Sequence, residues 1–298
     1  MKELQALVKR NVKLFFKDKG MFFTSLITPV ILLVLYATFL ADVYKDSFLT
    51  SLNGFEVEEK LIDGCVGAQL ISSILAVSCI TVAFCSNMLM VQDKANGTLY
   101  DLRISPVKPT TLALGYYIAT MVATLLICYV AAAVCMAYMA IVGWYMSVAD
   151  VLLLLLDVFL LVMMGTALSS IVNFFLSSQG QISAVGTIVS SGYGFISGAY
   201  MPISSFGTGL QKVISFLPST YGTSLLRNHA LQGVYAEMLR VGFPTEAVEG
   251  IKDSIDCNVY FFGNLVTIPA MYFIIVSAIA VFLGVYVVLH LSKLKSKK

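Results

Sequence analysis

Charge is what this sequence has least of. Aspartate, glutamate, lysine and arginine supply only 12% of its 298 residues, against ~25% in a soluble globular chain. With 58% hydrophobic residues and a mean hydropathy of +0.87, a water-soluble fold of this size would have nowhere to put its apolar surface, whereas lipid accepts it. The net charge of +2 makes no case for nucleic acid as a partner. Histidine occurs twice, as His229 and His290, with no carboxylate or cysteine cluster at metal spacing beside either. There is no Gly-Lys dipeptide and hence no phosphate-binding loop of the Walker A kind, so if ATP is used, another chain binds it. No Gly-x-Ser-x-Gly pattern supports a membrane serine hydrolase. These absences leave a chain that is not itself an enzyme and holds no cofactor or metal of its own.

The six cysteines do not build a site either. Cys79, Cys85, Cys128 and Cys135 fall inside apolar runs and read as small hydrophobes. Cys65 and Cys257 fall in polar segments assigned to the same face, and whether they pair stays open.

What is present is hydrophobic length. A helix that crosses a bilayer needs ~20 mostly apolar residues, because its backbone must satisfy itself within lipid. Six stretches qualify: 22–40, 66–90, 111–135, 148–172, 181–200 and 267–291. The expected fold is therefore all-α and polytopic, one transmembrane domain over residues 1–298, with the fifth stretch rich in Gly and Ser rather than Leu. Basic residues set the orientation. The N-terminal segment, the loop after the second stretch and the C-terminal tail hold thirteen lysines and arginines against four acids. The other face holds six basic residues and eleven acids, so both termini are expected in the cytoplasm.

Several segments add detail. Residues 2–18 carry Leu4, Leu7, Val8, Val12 and Phe15 at helical spacing with Lys and Arg opposite, which predicts an interfacial helix leading into the first span. The loop 91–110 is too polar for lipid. Asn96-Gly97 signals a turn, and Thr98 to Ile104 is long enough for a brief helix before Pro106 and Pro109. In span two, Gln69, Ser73 and Ala76 lie on one small and polar face. In span five, Ser183, Thr187, Ser190 and Gly194 do the same. Such faces serve close helix packing or line a substrate path. Asp157 is the acid well inside a span, where a charge costs ~2.5–3.5 kcal/mol on insertion scales; a proton or cation site and a structural hydrogen bond are the two readings. Trp144 and Tyr145, with Tyr116 and Tyr117 at the other end of span three, read as aromatic belts. The outer segment 201–266 predicts two short capping or re-entrant helices, near 210–217 and 221–231, and then a soluble patch at 240–258.

Three of these features occur together in a known family. The chain resembles the membrane permeases of type-2 ABC exporters, in its drug and antibiotic efflux branch. The resemblance rests on the basic amphipathic start, on the cytoplasmic loop with Lys94, Gly97, Thr98, Leu99, Ser105 and Pro106, and on the outer stretch with Ser197, Gly198, Met201, Pro202, Leu217, Pro218 and Arg227. It implies two copies of a separate ATPase subunit that binds ATP and Mg, and a second permease chain in a homodimer or heterodimer. It also implies that the interfacial helix and the loop with Lys94, Gly97, Thr98, Leu99, Arg103, Ser105 and Pro106 contact the ATPase. Spans two and five would line the path, and Gly198, Pro202, Pro218 and Arg227 would serve as the outer gate. The expected place is the cell membrane, a bacterial plasma membrane, and the expected cargo is amphiphilic: a drug, an antibiotic peptide or a lipid-linked molecule. The competing reading is a secondary transporter or channel driven by an ion gradient through Asp157.

Overall fold

The structure is a computed structural model that describes residues 2–36, 38, 41, 45 and 58–295. The end of the expected first span (37, 39 and 40) and most of the first outer loop lie outside the described residues.

The basic start forms α1 (Lys2–Lys17), whose apolar stripe buries Leu7 and Phe15 while its lysines stay exposed. At Asp18 the chain turns by 75° into α2 (Lys19–Leu35); the Asp18 carboxylate accepts the Met21 amide at 3.1 Å, satisfying one of the free donors at that helix start. After the first outer loop comes α3 (Glu59–Ser86), broken at Asn87 and continued as α4 (Met88–Ala95). A short α5 (Thr98–Ile104) precedes α6 (Pro109–Val142), which takes proline in its first turn, where no amide partner is needed. Then follow α7 (Val148–Phe175) and α8 (Gln179–Ile196), each opened by a reciprocal serine cap: Ser147 with Asp150, and Ser178 with Gln181.

The helix α3 is the centre of the molecule. It is buried from Leu61 to Ser86 almost without interruption, with α2, α6, α7 and α8 around it. Among the described residues, four helical stretches are long and apolar enough to cross a membrane: Glu59–Ala95, Pro109–Val142, Val148–Phe175 and Ile268–Ser292. The bent pair α1–α2 gives a fifth. The protein is thus a mostly helical, polytopic membrane protein. The helix α8, expected as span five, falls outside this set because ten of its eighteen residues are Gly, Ser, Thr or Gln.

The outer segment departs from expectation. Its first helix, α9 (Thr208–Ile214), is short, but α10 runs over 23 residues from Pro218 to Arg240. That helix is polar in composition and yet buried over most of its length, packed against α3, α7 and the last helix, α12 (Ile268–Lys295). Between them lie α11 (Thr245–Ser254) and a small antiparallel hairpin, β1 (Tyr260–Phe261) with β2 (Asn264–Leu265), an addition to the all-α expectation. Its turn residues Phe262 and Gly263 both have positive φ, at 49° and 84°, as a tight primed hairpin turn requires. Tyr116 and Tyr117 do not form an aromatic belt: both are buried, within a cluster that includes Leu7, Met90, Leu99 and Tyr286. Cys65 and Cys257 are free, buried thiols; the Cys257 sulfur lies 3.2 Å from the Tyr235 hydroxyl.

Candidate functional site

Two neighbouring residues at the end of α4 tie together α1, α6 and α7. Asp93 is buried and faces α1 and α6. Its Oδ2 accepts from Arg10 Nη1 at 2.8 Å and from the Tyr116 hydroxyl at 2.6 Å, and its Oδ1 accepts from Arg10 Nη2 at 3.2 Å. The hydrogen bond to Asp93 raises the Arg10 guanidinium above its ordinary pKa. Lys94 points toward α7 instead. Its ammonium donates to the carbonyls of Asn173, Phe174 and Leu176 at 2.7, 2.7 and 2.9 Å. The Asn173 carbonyl also accepts the Leu176 amide at 3.3 Å, and this end of the helix carries the negative end of its dipole, so a cation is well placed there. About two turns before, the break at Asn87 is held by its amide donating to Ser169 Oγ at 3.0 Å and Ser170 Oγ at 2.9 Å, and by Asn173 donating to the Asn87 carbonyl at 3.2 Å.

The chain then turns at Gly97, whose φ of 79° is in the left-handed region that side chains resist. The helix α5 starts there with Thr98, half-buried, and is anchored by the buried Leu99. Ser105 ends it, its hydroxyl donating to the Leu102 carbonyl at 2.6 Å, and Pro106 follows exposed. The predicted contact residues therefore hold and bound the helix more than they display themselves, while the Arg103 side chain lies outside what is described. The displayed residues are Tyr100 and Ile104, 66% and 69% exposed, four positions apart on one face. They escaped the sequence reading, although two large apolar residues at that spacing in so short a polar loop were the available signal.

At the other end, Arg227 is 1% exposed. Its Nη2 donates to the Gly198 carbonyl at 2.6 Å and lies 3.4 Å from Ser73 Oγ, and its Nη1 donates to Asp256 Oδ2 at 3.3 Å. Asp256 Oδ2 also accepts the Ile203 amide at 2.8 Å. Burial pushes the Asp256 carboxyl above the usual range, against the opposing pull of Arg227 and that amide. Of the four outer candidates, Gly198 and Arg227 are thus brought together; Pro202 precedes a 3-10 turn and Pro218 begins α10.

The family profile described as ABC-2 type transporter matches residues 2–230 of this sequence. The chain belongs to that family. It is a membrane-embedded permease subunit, and comparison with curated proteins finds no match. Among the described residues, no group of three or more His, Cys, Asp or Glu is placed to hold a metal ion.

The two polar faces of this ABC-2 permease differ in their surroundings. Gln69, Ser73 and Ala76 on α3 are all buried within the chain. Ser183 and Thr187 on α8 are exposed and Ser190 is half-buried. Their hydroxyls donate to the α8 carbonyls of Gln179, Ser183 and Gly186 at 3.1, 2.9 and 2.7 Å, so this face needs no external hydrogen-bond partner. Gly194 is buried for a local reason: a Cβ there would lie 2.3 Å from the Tyr200 ring, in the turn that ends its own helix.

Asp157 is held on both oxygens. His229 Nδ1 of α10 lies 2.5 Å from Oδ2, and the Tyr272 hydroxyl of α12 donates to Oδ1 at 2.7 Å. Tyr272 and Asp256 both lie beyond the matched range. Each therefore fastens the family portion to the residues beyond it.

Proposed function

We propose that this permease is the membrane half of an ATP-driven exporter of amphiphilic substrates, with ATP and Mg bound by a separate ATPase subunit present in two copies. The observation that carries this reading is the exposed pair Tyr100 and Ile104 on a seven-residue helix whose base is buried. Exposed apolar residues in a polar loop suit a protein partner, and clamping by Asp93 and Lys94 suits transmission of force from that partner into α1, α6 and α7. On this reading the face with Tyr100 and Ile104 is cytoplasmic, as the basic residues indicate, and so are both termini of a six-span chain. The helix α8 then serves as span five despite its polarity, because its open side faces a second permease chain, identical or related. Ser183, Thr187 and Ser190 would line the path between the two. Gln69, Ser73 and Ala76 would join it only when Arg227 and α10 withdraw from α3. The buried α10, which meets span four at Asp157, supports a re-entrant outer segment.

The deciding experiment is co-purification of the tagged permease with ATPase subunits from its native membrane. Wild type is expected to bring down an ABC ATPase, and the pair Tyr100→Ala with Ile104→Glu to lose it while inserting normally. Full-strength capture by that variant would remove the docking role of α5. The rival, an ion-gradient transporter using Asp157, is opposed by the two protein groups that already occupy both carboxylate oxygens.

A further inference from the structure

The outer segment contains a cavity of about 660 Å³, within the ~300–1,000 Å³ usual for ligand sites. It is open to the outside, and the proposed transport mechanism does not use it. Its charges are of both signs and are unequally committed. Asp256 on its wall is already held by Arg227 and the Ile203 amide. Asp253 accepts from Asn258 Nδ2 at 2.8 Å and from the Tyr260 hydroxyl at 3.0 Å, both on Oδ1, which leaves Oδ2 for a ligand. Lys212, in the last turn of α9, is exposed and, among the described residues, forms no ion pair with either acid. One cation and one carboxylate therefore line the same cavity without neutralising each other.

The border is apolar. Phe262 lines the cavity and is 60% exposed, and its ring lies 5.8 Å from that of Phe216, itself exposed. Leu210 and Val213 continue the exposed apolar surface along α9. Aromatic and aliphatic side chains exposed beside a polar cavity, on a membrane protein, suit the level where headgroups meet acyl chains. A purely anionic headgroup would meet Asp253 and Asp256, and a purely cationic one would meet Lys212. A headgroup with both charges fits.

We propose that this cavity binds the zwitterionic headgroup of an outer-leaflet phospholipid bearing a primary ammonium, with its phosphate on Lys212, its ammonium on Asp253 Oδ2 and its chains over Phe262 and Phe216. The site does not depend on which substrate is exported or on what drives export.

The test uses the full chain, reconstituted in vesicles of equal parts dioleoyl phosphatidylethanolamine, phosphatidylcholine and phosphatidylglycerol, then extracted mildly and weighed intact by native mass spectrometry. Phosphatidylethanolamine is expected to be retained about tenfold over phosphatidylglycerol, the ratio one charge-assisted hydrogen bond supports, with phosphatidylcholine between them because choline has no N–H to donate. Lys212→Glu and Asp253→Asn should each remove most of that preference; asparagine keeps an acceptor for Asn258 and Tyr260, so the hairpin is preserved. Equal retention of the three lipids, or an undiminished preference in both variants, would overturn the proposal. So would displacement of bound lipid by millimolar glycerophosphoethanolamine, which would make the ligand a free zwitterion. Failure of an impermeant maleimide to label Lys212→Cys in vesicles would also overturn it, because protein would then cover the cavity.

Discussion

Replacing Asp157 separates a structural acid from a transporting one. The carboxylate is buried between α7, α10 and α12, with one oxygen on His229 and the other on Tyr272. Asp157→Ala leaves the buried His229 without its partner, at ~1–3 kcal/mol, and the half-buried Tyr272 hydroxyl without its acceptor, at a smaller cost. At ~2–4 °C per kcal/mol for a chain of this size, the melting temperature should fall by on the order of 10 °C. Asp157→Asn behaves differently. Its Oδ1 still accepts from Tyr272, and its Nδ2 donates to an unprotonated His229 Nδ1, so about 1 kcal/mol is lost and assembly survives. Tyr272→Phe removes one hydrogen bond to a carboxylate, ~1.5–3 kcal/mol. The assay is thermal unfolding followed by fluorescence-detected size exclusion, with transport in vesicles measured on the same preparations. The structural account requires Asp157→Asn to keep transport. Loss of transport in an Asp157→Asn protein of normal stability would refute it and restore the ion-gradient reading.

Three further outcomes follow from the site. Gly97→Val forces a side chain into the left-handed region at φ 79°, a strain of ~1–3 kcal/mol. It should lower substrate-stimulated ATPase activity of the complex without reducing membrane insertion. Lys94→Met removes three hydrogen bonds from the end of α7 while keeping the stem; basal ATPase activity should persist while its stimulation by substrate drops, read in proteoliposomes. Thr187→Phe projects from the open face of α8, whereas Ser73→Phe overpacks a buried contact beside Arg227, at ~1–3 kcal/mol or more. The first should assemble normally with altered transport, and the second should lower thermal stability; normal stability in Ser73→Phe would count against the packing described for α3.

Much of the fold was legible because lipid leaves few choices. Apolar runs near span length gave α3, α6, α7 and α12, and the alternation of Leu7, Phe15 and lysines gave α1. The hidden parts are those where composition and burial disagree. The helix α10 has the composition of an outer polar segment, and its burial depends on partners far along the chain: Asp157 for His229, and Asp256 with the Gly198 carbonyl for Arg227. No local pattern announces a polar helix whose hydrogen-bond partners lie 29 to 154 residues away. Tyr116 misled for the same reason. A tyrosine near a helix end suits a membrane interface, but Asp93, 23 residues earlier, offered it a buried acceptor. In the loop, Gly97 was readable as a turn, whereas Tyr100 and Ile104 carried a spacing signal whose meaning, display and not anchoring, depends on which side of α5 is buried.

The adjacency of Asp93 and Lys94 matters for how such a permease would respond to a partner. Neighbouring residues on a helix point about 100° apart. Here one reaches α1 and α6 through Arg10 and Tyr116, and the other reaches the end of α7 through its ammonium. A displacement of α5 therefore acts on both attachments at once, through less than one turn of α4 and the turn at Gly97. The contacts differ in kind. Arg10 and Asp93 form a two-point fork, which resists rotation, whereas Lys94 meets three carbonyls as a point charge, which tolerates it. The joint to α7 is reinforced at the break by the Asn87 bonds to Ser169 and Ser170. A push on Tyr100 and Ile104 would therefore be felt by α1, α6 and α7 together. Because α7 also holds α10 through Asp157 and His229, the proposed push would reach the cluster around Arg227 on that same helix.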